Sequence, residues 1–96
     1  MKEIKELWEE FQSKPFPKDI AGLEIDGVDL VSIDTFAAGC ISTFIENRGT
    51  LDNHRQAVLR ECMSDLEKVK DKISGEGKES FLLLQKLGTM ILQKLE

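Results

Sequence analysis

Residues 35–45 read TFAAGCISTFI, a stretch without a single charged side chain in a protein whose charged fraction is 32%. Apolar residues recur through and just before it at helical spacing: Ile33, Phe36, Ala37, Cys40, Ile41, Phe44 and Ile45. A helix that is apolar on most of its circumference is normally enclosed by other helices. The stretch therefore predicts the central second helix of a small all-α, four-helix bundle-like domain. Four of its side chains are expected at the centre of the core: Phe36, Cys40, Ile41 and Phe44.

Length and charge limit the class of protein. Ninety-six residues predict one helical domain over 1–96, large enough to bury about 60–65% of the unfolded surface. A net charge of −5 disfavours nucleic acid as a partner, because phosphate neutralisation needs a basic face. The N-terminal sequence MKEIKELWEEF is charged where a secretion signal would be apolar. The uncharged run at 35–45 is shorter than the roughly 20 residues of a membrane span. We expect a cytoplasmic protein with no membrane partner and reduced cysteines.

The first two helices are bounded by clear signals. Ile4, Leu7, Trp8 and Phe11 share one stripe of a helix over 2–12, which the prolines that follow should end. Ser32 is the expected N-cap of the second helix, which should run to about Asn47. Gly49 is expected to supply the left-handed residue after it. Gly39, in the middle of this helix, indicates a close helix crossing.

The third and fourth helices follow from the same periodicity. Asp52 is the expected N-cap of the third, which should end at Ser74-Gly75. Its buried seam repeats at heptad-like spacing: Leu59, Cys62, Leu66, Val69 and Ile73. The fourth helix should cover about 76–95.

The irregular, Pro- and Gly-containing segment 15–31 allows two interpretations. Short apolar runs flank Asp26-Gly27, a dipeptide typical of hairpin turns. Each run is only three or four residues long, and an isolated hairpin of that size is marginal. An extended loop is the main expectation, and a small hairpin is the alternative.

The fourth helix carries more apolar surface than one core-facing stripe needs. Its apolar residues cover about 200° of the helix, against the roughly 100° of an ordinary stripe. Either it lies between two layers, or part of it awaits a partner. A homodimer with Leu83, Leu87 and Met90 in a two-fold contact is one solution. A monomer covered by the first helix and segment 15–31 is the other.

The sequence offers one candidate polar site, at the turn between the second and third helices. It combines the only histidine with two arginines and a carboxylate: Arg48, Asp52, His54 and Arg55. His54 could carry a proton near neutral pH, and a helix N-terminus can bind an anion. The simpler interpretation is a capping turn exposed to water.

Two other groups of residues have both a structural and a chemical interpretation. Cys40 and Cys62 could face each other as a redox pair or half a metal site, but their positions on apolar stripes favour core packing. The acidic residues of the irregular segment could form a cation site, a pair of catalytic carboxylates or a surface for a basic partner: Asp19, Glu24, Asp26, Asp29 and Asp34. Their order does not match a calcium-binding loop, so solvated loop and capping roles are favoured.

These observations predict no catalytic residue, metal or cofactor, because no nucleotide-binding, nucleophile or metal-ligand motif occurs. The favoured function is a protein-binding or regulatory module. The alternatives are a homodimeric structural protein and an enzyme or ligand site at the Arg48–Arg55 turn.

Overall fold

A computed structural model of the protein describes residues 1–15 and 22–96. Its helices are α1 (Lys2–Ser13), α2 (Leu30–Glu46), α3 (Asn53–Val69) and α4 (Glu76–Leu95), and a 3₁₀ turn over Lys70–Lys72 extends α3. Two short strands, β1 (Glu24–Ile25) and β2 (Val28–Asp29), precede α2. The prediction of an all-α fold with four packed helices is confirmed. Asp19, one of the candidate acidic residues, lies outside the described ranges.

The segment before α2 forms the small hairpin rather than a plain loop. Strands β1 and β2 pair antiparallel, with Ile25 opposite Val28. Asp26 and Gly27 both have positive φ, at 52° and 80°, as a type I′ turn requires. The Lys72 ammonium pairs with the Asp26 carboxylate, which links the turn to the end of α3. Because both side chains are exposed, this ion pair positions the turn but contributes little to the stability of the hairpin.

Both ends of α2 differ in detail from the prediction. The N-cap is Asp29 and not Ser32: one Asp29 oxygen accepts the Val31 N–H at 3.0 Å, and the other accepts the Ser32 hydroxyl at 3.2 Å. At the other end Gly49 has the predicted positive φ, at 100°, but Arg48 before it is left-handed as well, with φ 57°. The Gly49 N–H then reaches the Phe44 carbonyl at 2.9 Å, which closes a Schellman-type cap.

Helix α4 lies between layers, because it packs against α1, α2 and α3. This arrangement explains its wide apolar arc without a second molecule. The buried hydrophobic residues of α4 are Phe81, Leu84, Leu87 and Ile91, and the predicted seam of α3 is buried throughout. Leu87 is fully buried among the protein's own helices. The prediction that Leu87 belongs to a homodimer interface is therefore wrong.

The glycine of a helix interior that a neighbouring helix packs against is Gly88, not the predicted Gly39. A β-carbon added at Gly39 would meet nothing within 4 Å. One added at Gly88 would overlap the Met63 sulfur and lie 2.8 Å from the Met63 methyl carbon. The missing side chain at Gly88 therefore lets Met63 of α3 approach the backbone of α4.

Candidate functional site

The predicted polar turn is an exposed capping structure. Arg48, Asp52, His54 and Arg55 are all exposed. Arg48 ends α2 and Asp52 begins α3, and the Asp52 carboxylate pairs with the Arg55 guanidinium at 3.2 Å instead of capping a backbone N–H. An exposed ion pair of this kind contributes little to stability or to a site. The turn thus pairs Asp52 with Arg55 and leaves all four side chains open to solvent.

The two cysteines are free, buried thiols on the facing helices α2 and α3. The Cys40 thiol donates to the Arg55 carbonyl at 3.5 Å, and burial raises its pKa. Burial, followed by the influence of Cys40, raises the pKa of Cys62 to about 11. Because only thiolates attack electrophiles or bind metals well, both side chains are poor nucleophiles near neutral pH. This geometry fits the core-packing interpretation.

The described acidic residues of the hairpin region do not converge. Asp29 caps α2, Asp26 pairs with Lys72, and Glu24 stays exposed beside the hairpin. Asp34 lines a small cavity of about 110 Å³ with Phe11 and Phe81, and burial raises its pKa. Across residues 1–15 and 22–96, no three His, Cys, Asp or Glu side chains come together as a metal site would require.

A groove of about 500 Å³ lies between the hairpin, the N-terminal half of α2 and the middle of α3. We call it the docking groove. Ile33 and Cys62 are buried at its base, while Val28 and Val58 are half-buried on its sides. Phe36 lies on the same surface with 58% of its side chain exposed. Three carboxylates complete the lining, and we call them the acidic rim: Asp29, Glu61 and Asp65.

The exposure of Phe36 corrects the prediction that it lies at the centre of the core. The buried residues of α2 are Leu30, Ile33, Ala37, Cys40, Ile41 and Phe44. At about 100° per residue, Phe36 lies about 90° from the middle of that arc. It shares this edge of the helix with Ser32 and Thr43, and these polar neighbours were the signal in the sequence that Phe36 lies at a boundary.

The docking groove itself could not be read from any single stretch of sequence. Its lining comes from β2, α2 and α3, so it exists only once these elements pack together. Glu61 and Asp65 lie on α3 beside its buried seam. Nothing in the neighbouring sequence distinguishes them from other carboxylates on the helix surface.

No protein-family model matches the chain, and no curated protein or solved structure resembles it at a significant level. Within the described ranges, no helix has the length and apolar character that a membrane crossing requires. Function is therefore argued from the geometry and chemistry of the site itself.

Proposed function

We propose that this protein is a small binding module that recognises another protein through the docking groove. The single observation that carries the proposal is the exposed ring of Phe36 beside a groove with an apolar base. Complete burial of a phenylalanine side chain is worth about 1.5–3 kcal/mol, and the isolated chain forgoes much of it at Phe36. A partner that covered the ring would gain that free energy on binding.

Aromatic anchors in apolar grooves are common centres of binding energy at protein interfaces. The docking groove adds a concave shape and charged groups at its edge, the usual arrangement of an apolar centre and a polar rim.

The experiment compares three forms of the protein as affinity baits in extracts of the native host: wild type, Phe36→Ser and Leu82→Ser. Leu82 is the matched control, because its side chain is 41% exposed on α4 and does not line the groove. Quantitative mass spectrometry should find a host protein retained by wild type and Leu82→Ser but lost with Phe36→Ser. Retention that is equal on all three baits, or absent from all three, contradicts the proposal.

The cytoplasm is the proposed location, supported by two free cysteines that lie on facing helices without a disulfide. The two other functions considered from the sequence gain no support from the geometry. The Arg48–Arg55 turn has no enclosed surface for a substrate, and the apolar arc of α4 is used within the chain. Leu83 and Met90 are half-buried, and the mass of the protein in solution tests whether they form a contact between two copies.

A further inference from the structure

Building on that proposed function, we propose that the docking groove binds a basic amphipathic helix of a partner protein. Apolar side chains of the helix would lie over Phe36 and Val58, and its lysines or arginines would meet the acidic rim. The inference names the chemistry of the partner, which the proposed function leaves open.

The first argument is charge. Every charged residue that lines the groove is acidic. The ion pairs found in the described part of the chain are Arg55–Asp52, Lys70–Glu67 and Lys72–Asp26. None of them involves a carboxylate of the acidic rim. A cationic partner would therefore meet Glu61 and Asp65, which no described cation pairs with, while Asp29 adds negative charge although its two oxygens already cap α2. Charge complementarity of this kind selects partners and orients them.

The second argument is spacing. Glu61 and Asp65 are four residues apart on α3, and so are Val58 and Cys62. Residues at that spacing lie one above the other, with β-carbons about 5–6 Å apart. Along the groove, the carboxylates of Glu61 and Asp65 therefore form one row and the apolar side chains of Val58 and Cys62 form another. In each row the two residues are one helical turn apart. A partner helix with apolar residues and cations at the same repeat matches both rows, as in other helix-in-groove complexes.

The charge also argues against the other occupants. A second copy of this chain carries a net charge of −5 and would face the acidic rim with like charge. Nucleic acid would do the same with its phosphates. A cationic helix is the occupant that gains from both features of the groove.

The test is a selection from a random peptide library displayed on phage, with wild-type protein as the bait and the Phe36→Ser variant for counter-selection. We expect the enriched peptides to carry apolar residues at i and i+4 or i+7, with lysine or arginine beside them. Circular dichroism should show that each becomes helical when bound, and titration should show affinity that falls with added salt.

The enriched peptides are then titrated against Glu61→Gln/Asp65→Asn and against Glu6→Gln/Glu10→Gln. The second pair is the matched control, because it removes the same charge from an i, i+4 pair of exposed residues on α1. We expect neutralisation of the rim to weaken binding about fivefold or more, and the control less than about twofold. Thermal melts of all variants establish that each is folded.

The outcomes separate the two proposals. Phe36-dependent peptides that are neutral or acidic, non-helical, or equally sensitive to both double variants would overturn this inference and leave the proposed function standing. A selection that enriches no Phe36-dependent peptide would overturn both.

Discussion

Phe36 and Phe44 belong to the same helix and the same apolar pattern, yet the fold uses them in opposite ways. Phe44 is 1% exposed in the core, whereas Phe36 is 58% exposed beside the docking groove. Side-chain burial determines what each contributes to stability, and surface apolar groups contribute little. The pair therefore tests the structure at the level of single residues.

Phe44→Ala should lower the free energy of unfolding by about 3–5 kcal/mol, because it removes a buried ring and leaves a cavity. Phe36→Ala should change it by less than about 0.5 kcal/mol, since exposed substitutions are usually near neutral. Urea unfolding followed by circular dichroism measures both. Equal losses for the two variants would show that the orientation of α2 is wrong.

The thiols make a second prediction at this scale. A thiol reagent should react slowly with the native protein near neutral pH and modify two thiols after denaturation, because both cysteines are buried and hold their protons. Rapid native reaction at either cysteine would contradict the burial of that side chain.

The pH dependence of Cys62 has a definite sign. Its pKa is raised from 9.0 to about 11 in the folded state, so folding favours the protonated thiol. Its contribution is therefore present below pH 9 and is lost as the pH rises toward about 11. The free energy of unfolding should fall across that window by more in wild type than in Cys62→Ala, and an identical fall would contradict the shifted pKa.

At the scale of elements, apolar periodicity predicted the helices well and their surroundings less well. The buried seam of α3, from Leu59 to Val69, was predicted residue by residue, because a repeat of three and four residues permits only one buried face. Ile73 is buried too, but it lies beyond the 3₁₀ turn with extended backbone, so the helix ends before the predicted Ser74-Gly75. The end caps of α2 were not, since Asp29 and Ser32 are both good N-cap residues and the hairpin decided between them. The docking groove depends on packing among three elements, which no local pattern encodes.

The two mid-helix glycines test the helix packing directly. Gly39→Ala should raise the free energy of unfolding by about 0.5–1 kcal/mol, because alanine favours the helix and the added methyl group meets nothing within 4 Å. Gly88→Ala should fail to show this gain, because its methyl group would displace the thioether of Met63 from the core. Chemical denaturation compares the two. A gain at Gly88 as large as that at Gly39 would contradict the close approach of α3 to α4.

On the scale of the whole molecule, the question is whether the chain needs a second copy. The sequence left a homodimer and a monomer open, because α4 seemed to carry more apolar surface than one layer could bury. The fold resolves that surplus by placing α4 against three other helices and Leu87 in the core.

We therefore expect a monomer of 10.9 kDa by light scattering at tens of micromolar. A species of twice that mass would contradict the expectation. If Leu83→Glu/Met90→Glu then restored the monomer, α4 would be the interface, as the homodimer hypothesis proposed.

The central claim is that the surface around Phe36 contacts a protein partner, and photocrosslinking in the native host tests it most directly. A photoreactive phenylalanine analogue is placed at position 36 in one strain and at position 82, which is also exposed but lies away from the groove, in another. We predict that position 36 crosslinks to one specific protein, through a helix rich in lysine or arginine, and that position 82 does not. The absence of a specific adduct at position 36, or the same adduct at both positions, would contradict the claim.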